Sequence, residues 1–198
     1  RWGDGCRAKD DWKVFVESRL STPPPVSPLD FLQEYYAADT WRLLVSCVLM
    51  SRVSSWHTKH TCISAFFERY ATPTAFANET HWSRVKDVIN PLGLFDDRLK
   101  SLAALTRAFL TGFDDDAKSD LFQLSTDRNS PYKVHGLGPF AVDSYLVFCR
   151  DQGPSISLSP GGKPVAPFVH WRKNYSSSAT EQQAASSSSS PSSTSSKE

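Results

Sequence analysis

The clearest chemistry lies in YKVHGLGPFAVDSYLVF, residues 132–148. Gly136 and Gly138 flank Leu137, and Pro139 follows. Two glycines one residue apart permit a tight turn through positive φ. A proline suits the first position of a helix. The order predicts a short helical turn ending at His135, a turn anchored in the core by Leu137, and a second helix opening at Pro139. The first N–H groups of a helix have no partner within it, and with those of the turn they converge on one outward point. That is an anion site, and a DNA phosphate suits it, because phosphate contacts position a protein without reading bases. Backbone makes the contact, so no basic side chain is required. The plainer alternative is a glycine-containing turn between two helices. G-x-G alone does not separate the two, but the longer pattern, running through Pro139, Phe140 and Ala141 to Asp143, is much narrower.

The chain as a whole gives no global electrostatic case for nucleic acid. Its 22 Lys and Arg nearly balance 21 Asp and Glu, for a net charge of +1. A local basic face remains compatible with that balance. The 198 residues suit one domain with extensions, and 39% hydrophobic content with six Trp suffices for a core. No run of about 18 apolar residues occurs, so no membrane span is expected. No basic-then-apolar leader opens the sequence, so no secretory signal is expected. The cysteines at 6, 47, 62 and 149 form no CxxC pair and no metal-ligand spacing. Cys47, Cys62 and Cys149 lie in apolar helical runs, where cysteine packs as a small hydrophobe, consistent with a reducing compartment. No metal or cofactor is expected.

The elements that must position the hairpin read as helices. SPLDFLQEYYA (27–37) opens with a capping serine and a proline at the first helical position. TWRLLVSCVLMSR (40–52) is apolar on nearly every side and predicts a buried central helix. SSWHTKHTCISAFFERY (54–70) gathers Trp56, Cys62, Ile63, Phe66 and Phe67 on one face. Short helices are expected near Pro73–Phe76 and His81–Ile89. Another spans DDRLKSLAALTRAFL (96–110), with Asp96 or Asp97 as its cap. No strand-like alternation appears, so the predicted class is all-α. Residues 1–20 read as a loosely ordered lead-in with one helix around Asp10–Arg19, and STPPPVSP (21–28) as a stiff connector. The acidic stretch between Gly112 and Pro131 reads as a solvated loop with one short helical turn. Residues 176–198 form a serine-rich tail that cannot bury enough apolar surface to order.

The hairpin resembles the helix-hairpin-helix of the HhH-GPD DNA glycosylase superfamily. TPPPVSP, DTWRLLVSCVLMSR, HWSRVKDVINPLGLFDDRLKSL and HGLGPFAVDSYLVFC carry the likeness further. It extends over residues 21–175 and is strongest with the thymine and uracil mismatch enzymes. The acidic insert before the hairpin is longer than the family's connector. The resemblance implies a two-lobed, all-α helix-hairpin-helix glycosylase fold in a nuclear, monomeric protein. Its partner would be double-stranded DNA with G:T or G:U mismatches, its setting base excision repair, and it would use no cofactor.

Such enzymes flip a base from the duplex and hold the gap open with side chains. By resemblance, Arg52 and Leu94 occupy the plug and wedge positions. The alternatives are a solvated helix end for Arg52 and a core residue for Leu94. Arg98 and Lys100, near the wedge, either contact phosphates or are simply solvated. Phe140 stands where bifunctional members carry a lysine that attacks the sugar. Phenylalanine forms no Schiff base, so no strand scission is implied, and its ring would shape the base pocket. Asp143 falls where the family also has Asp and reads as structural.

The family follows its hairpin helix with P-x-D-x-x-L-x-x-Y and then Trp. Placing Pro160 on that proline aligns Val165, Phe168 and Trp171 without a gap, and Gly162 then falls on the catalytic aspartate. Hydrolysis of an N-glycosidic bond builds positive charge on the sugar, which a carboxylate stabilises while it orients or deprotonates water. Glycine does neither. Three readings stay open: a catalytically inactive DNA-binding or lesion-binding module, an enzyme using another acid such as Asp151 or Asp143, or a C-terminal sequence that differs from that of the working protein. Pro164 and Pro167 are unexpected in a segment that should be helical.

Overall fold

The computed structural model describes residues 27–111, 124–150 and 156–174. The expected lead-in helix, most of the proline connector, most of the acidic insert, the serine-rich tail, Cys6 and Asp151 lie outside the described residues. Within them the protein is all helical, as expected, and no strand is present. None of these helices is long and apolar enough to cross a membrane.

Helix α1, Thr40–Met50, is the centre of the fold. Asp39 caps it by accepting from the Arg42 amide at 3.0 Å. Trp41, Leu43, Leu44, Val45 and Leu49 have no exposed surface, which explains why the helix is apolar on all sides. Helix α2, Trp56–Arg69, is capped by Ser55 and buries Cys62, Ile63, Phe66 and Phe67 against α1. Thr72 caps the short α3, Pro73–Ala77, whose proline sits in the first turn. Helix α4, Trp82–Ile89, runs through a 3-10 turn, Asn90–Leu92, to Gly93 and Leu94. Helix α5, Phe95–Thr111, packs on α1, where Thr106 accepts a hydrogen bond from the Trp41 indole at 3.1 Å. Helix α6, Pro139–Phe148, closes the other side of α1. A 3-10 segment, Pro160–Val165, packs on α6 and leads into α7, residues 166–174.

Local expectations need four corrections. Helix α1 stops at Met50 rather than Arg52, because Arg52 is left-handed at φ 61°. Residues 28–31 are not helical. Asp30 is left-handed at φ 56°, and a 3-10 helix begins only at Leu32. Ser27 caps nothing there; its amide and hydroxyl donate instead to the buried Glu34 carboxylate. Asp96 and Asp97 lie inside the first turn of α5 rather than capping it, and Asp96 pairs with Lys86 at 2.7 Å. Finally, residues 131–136 form successive turns, not a helical turn.

The two C-terminal prolines are accommodated. Pro164 lies within the 3-10 segment and Pro167 in the first turn of α7, where a missing N–H costs nothing. Val165 and Phe168 are buried with Val147 in a second apolar cluster, flanked by Phe31, Phe140 and Trp171.

Candidate functional site

The hairpin closes by a hydrogen bond from the Leu137 amide to the Val134 carbonyl at 3.2 Å. Leu137 is fully buried and anchors the turn as expected. The two glycines differ in what they do. Gly136 has φ +80°, and a Cβ there would lie 1.8 Å from Ser101 Oγ and 3.2 Å from the Ser101 Cα. It is needed for both conformation and close approach to α5. Gly138 has an ordinary φ of −95° and serves as the N-cap of α6. A Cβ there would meet nothing within 4 Å. Its lack of a side chain is not required by the protein's own packing.

Five of the residues singled out in the sequence meet at one cavity of about 480 Å³: Arg52, Leu94, Gly136, Gly138 and Phe140 line it. Leu137 is the anchor beneath. A second cavity, of about 580 Å³, shares Ser51, Arg52 and Phe140 with the first. Its remaining wall includes Asp30, Gln33, Trp56 and Pro164. Phe140 and Arg52 therefore stand between two adjoining hollows. Both volumes fall in the range of small-molecule and nucleoside sites.

Leu94 is not a core residue: it is 53% exposed at the tip of a turn in which Gly93 and Leu94 both have positive φ, 69° and 49°. Arg52 is exposed too. Asp30, Arg52 and Leu94 are the non-glycine residues with positive φ among those described, and each lines one or both cavities. A left-handed non-glycine residue costs on the order of 1–2 kcal/mol, and such strain collects where a side chain must be aimed.

Arg98 holds two of these three strained positions. It is neither a solvated charge nor a phosphate contact. Only 5% of it is exposed, and its guanidinium donates to the carbonyls of Val48, Ser51 (2.7 Å), Leu92 (3.2 Å) and Gly93 (2.8 Å). One side chain thereby ties the end of α1 before Arg52 to the turn before Leu94. Burial lowers its pKa from the usual arginine value, and the nearby Arg52 adds in the same direction. Lys100, by contrast, is exposed.

Gly162 is buried beside Asp143. A Cβ on Gly162 would lie 2.2 Å from Asp143 Oδ2 and 2.9 Å from its Cγ. That carboxylate accepts from the Ser159 amide at 3.1 Å and from its hydroxyl at 2.5 Å, and Asp143 is only 4% exposed. Asp143 thus fastens the start of the 160–165 segment and fills the space a side chain at position 162 would enter. It lines neither cavity.

Sequence reasoning missed that residues 29–33 form part of the larger cavity's wall. Glu34 accepts from Ser27 and from the Phe31 amide (2.9 Å), and the Tyr35 hydroxyl donates to Asp30 Oδ1 at 2.6 Å. These bonds fold residues 27–31 over the larger cavity. No local pattern announced this, since Ser-Pro followed by apolar residues reads as a helix start.

No family model matches the chain. Over 127 residues it is 31% identical to a methyl-CpG-binding domain protein 4-like protein of Arabidopsis thaliana, a match covering 64% of this chain and 25% of that protein. The chain is related to proteins of this kind and spans about a quarter of the length of this relative.

Proposed function

We propose that residues 21–175 form a DNA glycosylase unit of the HhH-GPD type. It binds nuclear double-stranded DNA as a monomer at G:T or G:U mismatches and flips the mispaired thymine or uracil into the cavity beside Phe140. The observation that carries this reading is the meeting of Arg52, Leu94, Gly136, Gly138 and Phe140 at one cavity, with a second cavity that shares Arg52 and Phe140 in its wall. The hairpin amides take a phosphate, for which Gly138 leaves its side open. Exposed Leu94 enters the duplex as an apolar wedge, and Arg52 fills the vacated stack. Phe140 supplies a ring face for the flipped pyrimidine and, lacking an amine, leaves the strand intact. The name of the Arabidopsis relative agrees with a DNA-directed role.

Fluorescence anisotropy with duplexes carrying G:U, G:T or G:C tests the binding step. Mismatched duplexes are expected to bind at least about 10-fold more tightly than matched ones, and Arg52→Ala to remove most of that difference. Equal affinity for all three, or none for any, refutes the reading. A second reading, a lesion-binding module that does not cleave, is favoured by one observation: Gly162 offers no carboxylate, and Asp143 beside it is buried and committed to Ser159.

A further inference from the structure

The two side chains assigned to the duplex come from different parts of the chain. Arg52 follows α1, and Leu94 follows the 3-10 turn Asn90–Leu92. Opening a base pair needs both together: a wedge without a plug lets the base fall back, and a plug without a wedge has no gap to fill. We infer that Arg98 is the positioning residue that makes Arg52 and Leu94 act on the duplex as one unit, an inference that rests on the base-flipping reading above.

The hydrogen bonds of Arg98 fall on the peptide groups that aim these two residues. Its Nη2 donates to the Ser51 carbonyl at 2.7 Å, and its Nε donates to the Gly93 carbonyl at 2.8 Å. The Ser51 carbonyl shares a peptide plane with the Arg52 amide, and the Gly93 carbonyl shares one with the Leu94 amide. Fixing those planes, with φ at 61° and 49°, sets the direction in which each Cα–Cβ bond leaves the backbone. The same Nη2 also donates to the Leu92 carbonyl at 3.2 Å, so one nitrogen bridges the two segments. Nη1 donates to the Val48 carbonyl in the last turn of α1.

A guanidinium is planar, and its donors keep a fixed spacing. It cannot follow a movement of the Leu94 turn without drawing on Ser51, nor a movement at Arg52 without drawing on Gly93. Arg98 is 5% exposed, so water does not readily replace a lost bond. Two left-handed residues, neither of them glycine, are thus held by one group. Lysine keeps the charge but gathers its donors at one point, which cannot serve four carbonyls on two segments. The plainer alternative is a strut that only packs α5 on α1. Thr106 makes such a tie between the same two helices, accepting from the Trp41 indole, and it lines neither cavity.

Stopped-flow fluorescence of 2-aminopurine beside a G:U mismatch tests the inference on the full chain, with DNA affinity and melting temperature measured on every variant. Arg52→Ala and Leu94→Ala are each expected to slow the rise about 10-fold, and the double variant by no more than about 20-fold, where independent losses would give about 100-fold. Arg98→Lys is expected to slow it about 10-fold with affinity within about threefold. Adding either alanine to Arg98→Lys is expected to cost less than about a further threefold. Thr106→Val removes the Trp41 bond and is expected to lower the melting temperature while leaving the rise within about twofold of wild type. Losses that multiply, between Arg52→Ala and Leu94→Ala or on adding alanine to Arg98→Lys, overturn the inference and leave the base-flipping reading standing. The first pair changes nothing at Arg98, and decides the matter should Arg98→Lys fail to fold. Thr106→Val slowing the rise as much as Arg98→Lys overturns the inference too, because the effect then follows helix packing alone. Wild type that gives no rise overturns the base-flipping reading and this inference with it.

Discussion

Replacing Gly162 with aspartate introduces the side chain that the sequence resemblance would place there, and the packing makes that change costly. The new Cβ would sit 2.2 Å from Asp143 Oδ2 and 3.1 Å from its Cβ, where ordinary contacts begin near 3.4 Å. Asp143 has to move, and moving it breaks or weakens its two bonds from Ser159. Hydrogen bonds to a charged group contribute about 1.5–3 kcal/mol each. A second carboxylate in the same buried space adds like-charge repulsion and desolvation. The expected loss is about 3–5 kcal/mol at neutral pH, from the two bonds with partial relaxation. At roughly 2–4 °C per kcal/mol for a domain of this size, the melting temperature falls by about 6–20 °C. The pH dependence has a definite sign. Crowding raises one carboxyl's pKa in the folded variant above its unfolded value near 4, so the penalty shrinks as pH falls toward that value and is full at neutral pH. Gly162→Ala carries the steric part alone, and Asp143→Asn in the Gly162→Asp background removes the charge part. Thermal melts of the four proteins at pH 4.5 and 7.5 decide it. A Gly162→Asp protein that melts like wild type at both refutes the reasoning about this contact.

Other expectations are more local. Gly136→Ala combines a left-handed backbone with a clash into Ser101, and is expected to destabilise by about 2–4 kcal/mol in urea unfolding. Gly138→Ala, with open space around it, is expected to cost less than about 1 kcal/mol while weakening DNA binding. Arg98→Met leaves four carbonyls without their donor and is expected to cost about 3 kcal/mol or more, with the Arg52 and Leu94 turns losing protection from hydrogen exchange. Burial, then the hydrogen bond to Glu79, pushes the Tyr70 phenol up to about 12. The raised value means its contribution to stability is complete below pH 10 and lost as pH rises toward 12. An ultraviolet titration of Tyr70→Phe should lack the phenol that ionises at about that pH in wild type.

The helical plan was legible because the apolar spacing was strong, whereas the caps were not legible. Trp41 to Leu49 is apolar on nearly every side and is the buried centre, but the residues that cap, Asp39, Ser55 and Thr72, are not the serine at 27 or the aspartates at 96 and 97 that the sequence suggested. The site was legible in part. Leu137 as anchor and Gly136 as a conformational glycine follow from residue type and order, whereas Phe140 in a cavity wall followed only from the family resemblance. What stayed hidden depends on contacts between distant segments. Arg98 looks like a surface charge on α5 and becomes a strut only because two turns expose carbonyls to it. Ser27 looks like a helix cap until Glu34 takes its hydrogen bonds and Asp30 turns left-handed. The closeness of Asp143 to Gly162 joins residues 19 apart in sequence and leaves no trace in local pattern.

The central claim is that this cavity pair receives a base turned out of the duplex by Leu94. The direct measurement is stopped-flow fluorescence of a duplex with 2-aminopurine stacked beside a G:U mismatch, mixed with wild type or Leu94→Ala. With wild type the account predicts a rise in fluorescence as the neighbouring base leaves the stack. For Leu94→Ala it predicts a rise at least about 10-fold slower, at DNA affinity reduced by much less. No rise with wild type, or the same rise with both proteins, contradicts it.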